Sequence, residues 1–133
     1  MSQGLSQLLA VATGGALGSV TRWLLSIACQ RWLPGFPAGT LLVNSLGSFA
    51  AGAVLAWLLH GPEWPPLLRL FVVTGLLGGL TTFSAFSLET TRLWLEGSPR
   101  LALLNLSLNL GLGLLAISLG YGLLRAFWPA TAG

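Results

Sequence analysis

Residues 75–89 read GLLGGLTTFSAFSLE and lie inside a long apolar run, which they load with Gly, Thr and Ser before ending on Glu89. What this stretch becomes depends on the medium around it. Of the chain's 133 residues 54% are hydrophobic and only 7% are charged, outside the usual range of a soluble domain. Such a chain belongs in a membrane. All seven prolines fall between or beyond its apolar runs: Pro34 and Pro37, then Pro62, Pro65 and Pro66, then Pro99, and finally Pro129. The spans left between them are residues 5–30, 38–60, 67–94 and 100–127, each at least as long as the roughly 20 residues a helix needs to cross hydrocarbon. Trp23, Trp32, Trp57, Trp64, Trp94 and Trp128 sit near span ends or in connectors, where an amphipathic indole favours the water interface. The expected fold is all-α: a polytopic membrane protein in which residues 1–133 form a single integral domain of four transmembrane helices.

The charges exclude several functions. Six Arg stand against three Glu with no Lys and no Asp, so the basic balance reflects scarcity and not a nucleic-acid-binding face. Cys29 is alone, which rules out an internal disulfide and a Cys-based metal site. The opening MSQGLSQLL has no basic stretch before its apolar run, so the first span reads as retained. Arg31, Arg92 and Arg100 fall on one side of the membrane and Arg69 and Arg125 on the other, a split too even to fix one orientation. Insertion both ways, and with it an antiparallel homodimer, is one reading; a single orientation set by other features is the second. Small residues one turn apart (Gly14 and Gly18, Gly47 and Ala51, Gly75 and Gly79) suit close helix approach, within a subunit or between two.

Residues 75–89 contain no proline, so an interruption of the third helix falls to Gly75, Gly78 and Gly79 beside Thr81 and Thr82. The expected place is Gly78 to Thr81. Carbonyls freed there must be buried in protein, line water or coordinate a cation. Beyond it, Phe83 and Phe86 share one helix face and Ser84 and Ser87 an adjacent one. Aromatic edges carry partial positive charge and hydroxyls donate, so this lining suits a small anion. The competing reading is core packing for the rings and hydrogen bonds back to the same helix for the serines. In the second span Asn44, with Ser48 on its face, is either interhelical glue or a donor in an ion path.

Three stretches then carry a resemblance: GGALGSVTRW at 14–23, GTLLVNSLGSF at 39–49, and GLLGGLTTFSAFSLE. In that order and spacing they resemble the signature stretches of the fluoride channel family (Fluc, or CrcB). The resemblance implies an antiparallel, dual-topology homodimer in the cytoplasmic membrane that exports fluoride passively through two pores at the subunit interface. It also implies one structural Na+ on the twofold axis, held by backbone carbonyls of the interrupted third helix, with Gly78 and Thr81 at the matching positions. Phe83, Phe86 and Asn44 match the family's pore residues, Ser84 and Thr82 its hydroxyls beside the ion path, and Arg22 and Glu89 charged positions near the pore ends. Asn105 and Asn109 fall where the family has a mostly hydroxyl polar track, and so depart from its chemistry.

For Arg22 the plainer reading is snorkelling from a helix end, and for Glu89 a pair with Arg92. A small multidrug exporter of hydrophobic cations shares the length and the four spans, but needs an embedded carboxylate in its first span, where this chain has none. An enzyme is not expected, since the lone His60 lies in a connector with no nucleophile beside it.

Overall fold

The computed structural model describes residues 2–128. Pro129, the last of the prolines, lies outside them. Among the described residues there is no strand; the chain forms five helices, two of which together make one span. Helix α1 (Gln3–Gln30) starts at Ser2, whose hydroxyl accepts the Leu5 N–H at 3.4 Å. Helix α2 is Ala38–His60. Helix α3, residues 66–80, combines an α-helical turn (Pro66–Arg69), a π-helical segment (Leu70–Leu77) and a last turn (Gly78–Leu80). Helix α4 (Phe83–Leu95) continues the same span, and α5 is Pro99–Arg125.

Four segments are long and apolar enough to cross a membrane, Gln3–Gln30, Ala38–His60, Pro66–Leu95 and Pro99–Arg125. The shortest has 23 residues; at 1.5 Å per residue a helix of that length is about 35 Å long, against roughly 30 Å of hydrocarbon. Large apolar side chains such as Leu8, Leu17, Trp23, Leu88 and Leu114 are exposed along these spans, as lipid-facing residues must be. This is a multi-pass membrane protein. Pro66 and Pro99, read from the sequence as connector residues, instead take first helical positions, where proline's missing N–H costs nothing and its fixed φ already fits the helix.

Small residues set the packing. A methyl group added at Gly14 would strike the Phe71 carbonyl oxygen, one at Gly18 that of Leu76, and one at Gly79 that of Gly15, so α1 and α3 meet backbone to backbone. The same holds between α2 and α5, where Gly52 faces the Ile117 carbonyl and Gly120 that of Phe49. Gly47 is covered by the Thr81 methyl group. The paired glycines of α1 and α3 therefore join helices of one subunit, and dispersion at short range replaces the hydrophobic effect as the adhesive. Helix α4 ends in a Schellman turn: Gly97, at φ +81°, lets its N–H reach Trp94 O at 3.2 Å and the Ser98 N–H reach Leu93 O at 2.9 Å. At the opposite end Trp57 stacks edge-on against Trp128 with centroids 5.5 Å apart, and lies 6.2 Å from Trp64. His60 is the last residue of α2, not a connector residue, and its Nε2 is 3.1 Å from the Tyr121 hydroxyl.

Candidate functional site

Between α3 and α4 the backbone is extended at Thr81 (φ −85°, ψ 155°) and Thr82 (φ −154°, ψ 118°). The glycines do not leave the helix. Gly78 has φ −63° and ψ −35°, so the sequence expectation that placed the interruption at Gly78 to Thr81 started it three residues too early. Gly75 and Gly79 pack closely on α1, Gly78 faces outward, and the departure falls to the two threonines. The Thr82 hydroxyl accepts the Ala85 N–H at 3.1 Å, which caps α4, and lies 3.2 Å from the Ser84 hydroxyl. Thr81 turns its hydroxyl back to Leu77 O at 2.9 Å. Sequence reasoning missed the π-helical segment Leu70–Leu77, which no residue of that run announces; such segments recur beside functional sites.

A second helix holds this segment open. The Asn44 side chain pairs with the Thr82 backbone as a strand would, accepting its N–H at 2.8 Å and donating to its carbonyl at 3.2 Å. The other Asn44 N–H goes to Asn109 Oδ1 at 3.0 Å. Asn109 in turn donates to Asn105 Oδ1 at 2.9 Å and Asn105 O at 3.0 Å, and Asn105 donates to the Thr90 hydroxyl at 2.9 Å.

Beside this chain of bonds lies an open groove of about 470 Å³, with Asn44, Gly47, Ser48, Gly78, Thr81, Thr82, Phe83, Phe86 and Asn109 on its walls. The two rings touch edge to face, centroids 5.4 Å apart, yet they differ sharply: Phe86 is 4% exposed and Phe83 74%. Ser84 is exposed beside them, whereas Ser87 bonds back to Phe83 O at 2.9 Å, the plainer of the two expectations for the serines. A helix start leaves N–H groups without intrahelical acceptors; among the described residues none accepts from the amides of Phe83 or Ser84. The groove is thus bordered by aromatic rings, hydroxyls and the uncapped start of α4, groups that can meet an anion, and no residue on its walls carries a full charge.

Comparison with known proteins identifies the kin of this arrangement. Residues 9–121 match the model of the family described as CrcB-like protein, Camphor Resistance. The chain belongs to the CrcB family. Relatives include a "Fluoride-specific ion channel FluC" of Rhizobium meliloti, 43% identical over 123 residues that make up 92% of this chain and 98% of that one. Proteins of the same name from a Roseiflexus species (46% identical over 119 residues; 89% and 96% of the two chains) and Cereibacter sphaeroides (42% over 128 residues; 95% and 99%) match to similar extent.

The charged residues of this CrcB-family chain lie away from the groove. Glu89 does not pair with Arg92: it turns toward α2, where Thr40 donates to its Oε1 at 2.6 Å, while Arg92 pairs with Glu96, one turn on, at 2.7 Å. Four-residue spacing on the exposed flank suits that pair, and Glu89 faces the other way. Glu89 and Arg92 both border a second hollow of about 410 Å³ beneath the α1–α2 connector. Arg22 is half-buried on α1 and makes no ion pair among the described residues.

Proposed function

We propose that this chain is a subunit of a fluoride channel that lets the ion leave the cell passively across the cytoplasmic membrane. The observation that carries the proposal is the meeting, in one groove, of Thr82, Phe83 and Phe86 at the α4 N-terminus, with the exposed Ser84 hydroxyl 3.2 Å from that of Thr82. Fluoride holds water tightly, so a selective path must offer a succession of close donors, each weak enough to release the ion. Free N–H groups at a helix N-terminus attract an anion through both hydrogen bonding and the helix dipole. Hydroxyls and ring edges extend the series. A fixed Arg or Lys in the path would trap the ion, and the groove contains neither.

The groove is open on one side, and an exposed Phe83 beside an exposed Gly78 calls for a cover. A second copy inserted in the opposite sense supplies it in this proposal, giving an antiparallel homodimer. Twofold symmetry then brings two copies of the last turn of α3 together. Thr82 N–H is taken by Asn44 and Ala85 N–H by the Thr82 hydroxyl, so the carbonyls of Gly78 and Thr81 have lost the helical donors that would otherwise claim them. Such carbonyls suit a hard monovalent cation, and residues Gly78 and Thr81 would hold the Na+ that steadies the interface. Purification without Na+ should lower the dimer fraction on size exclusion; an unchanged fraction removes the ion from the proposal.

The deciding experiment is efflux from liposomes bearing the purified protein, with fluoride, chloride and a quaternary ammonium dye run side by side. Fluoride alone should leave. Fluoride retention, or equal loss of chloride, overturns the proposal.

A further inference from the structure

The three asparagines form a directed chain. Thr82 N–H donates to Asn44 Oδ1, Asn44 to Asn109 Oδ1, Asn109 to Asn105 Oδ1, Asn105 to the Thr90 hydroxyl, and Thr90 to the carbonyl of Phe86 at 2.8 Å. It starts and ends on the first turns of α4, after crossing α2 and α5. Every bond points the same way, so each polarises the next. Its centre is buried, Asn105 being 0% and Asn109 8% exposed, while Asn44 and Thr90 are half-buried. Asn109 has its oxygen engaged by Asn44 and its nitrogen by Asn105, and both Asn44 N–H groups are taken by Thr82 O and Asn109.

We infer that Asn109, and behind it Asn105, are positioning residues that hold the extended Thr81–Thr82 segment through Asn44, and not groups that touch the transported ion. An anion contact needs a free donor, and Asn109 has none to offer without breaking the chain. The spacing serves a brace: four residues apart on α5, Asn105 and Asn109 stack on one face, and the lower amide fixes which way the upper one points. Without Asn109 Oδ1, one N–H of the half-buried Asn44 side chain loses its partner, and the Asn44 amide is free to rotate off the Thr82 backbone. The extended segment then loses its only side-chain partner from α2.

Backbone hydrogen exchange in the full-length protein tests this directly, and the part that concerns ion flow rests on the channel proposal above. In Asn109→Leu, the Thr82 amide should lose roughly tenfold or more of its protection, while amides of Gly52 to Ala56, farther along the same α2–α5 contact, stay unchanged. Fluoride efflux should fall with it. Asn109→Asp supplies a variant with the same shape: at acidic pH a neutral carboxyl keeps both an acceptor for Asn44 and a donor for Asn105 and restores Thr82 protection, and at alkaline pH the donor is gone and protection drops. Unaltered Thr82 protection in Asn109→Leu, an equal loss along the whole of α2, or full efflux from a variant whose Thr82 amide has become labile each overturns the inference. If Asn109→Leu does not fold, the pH response of Asn109→Asp decides. Should the unaltered protein move no fluoride, the channel proposal fails while the exchange data still judge the brace.

Discussion

Phe83 and Phe86 are three residues apart and in contact, but one is 74% exposed and the other 4%. Their burial assigns them different work. Phe86 packs into the subunit, so Phe86→Ala should cost about 3–5 kcal/mol of stability through lost transfer energy and the cavity left behind. Phe83→Ala removes a ring that touches little within its own subunit, and should leave the unfolding midpoint of an isolated subunit near that of the parent while weakening dimerisation. Both should cut fluoride efflux sharply. Denaturant titration in detergent, beside size exclusion and efflux, separates these outcomes; equal destabilisation by the two substitutions would contradict the assignment. The pairing of the rings was legible in the sequence, because three-residue spacing on a helix leaves no other geometry. Their unequal burial was not, since it depends on how α2 and α5 close over one side of α4. Glu89 shows the same dependence: its neighbour Arg92 is in reach by spacing, yet the hydroxyl that donates to it is that of Thr40, distant in sequence.

Helix α3 meets α1 through glycines on both sides, and the contact tolerates no added atom at specific positions. At Gly18 a methyl group would strike the Leu76 carbonyl, which is backbone and cannot swing aside. At Gly122 a methyl group would meet nothing within 4 Å. Gly18→Ala should therefore destabilise the protein by about 1–3 kcal/mol, whereas Gly122→Ala should be neutral or stabilising by up to ~1 kcal/mol through helix propensity. The check is thermal unfolding of the two variants in the same detergent; a Gly18→Ala midpoint at or above that of the parent would mean that the α1–α3 contact is looser than the geometry indicates. Four membrane-crossing helices were readable from composition and proline spacing, because a continuous apolar run of this length in lipid must satisfy its polar backbone groups within the segment, as a helix does. The interruption was readable only approximately. Gly75, Gly78 and Gly79 weaken a helix in isolation, but packing of Gly75 and Gly79 on α1 keeps this stretch helical, and an asparagine from another helix draws Thr82 out instead. No local propensity encodes that.

At the scale of the whole molecule, the charge distribution and the open groove bear on the same question. Arg31, Arg92 and Arg100 lie at one end of the bundle and Arg69 and Arg125 at the other, and a three-to-two division gives the insertion machinery almost no direction. In the proposed channel a chain that inserts both ways in equal amounts pairs with its inverted copy, which would cover the groove that displays Phe83 and Gly78. Cys29 is the chain's one cysteine, so Cys29→Ser gives a thiol-free background. Into it a cysteine is placed at Pro62, between α2 and α3, or at Ser98, between α4 and α5, sites at opposite ends of the bundle that leave every Arg in place. An impermeant maleimide applied to intact cells should label about half of the molecules at either site, with the other half reached only after the membrane is opened. Labelling of one site in full and the other not at all would fix a single orientation and leave the groove to be closed by something other than an inverted copy. Adding two Lys beside Pro62 should then tilt the half-and-half result toward one orientation and lower efflux, because each molecule would lack partners of the opposite sense.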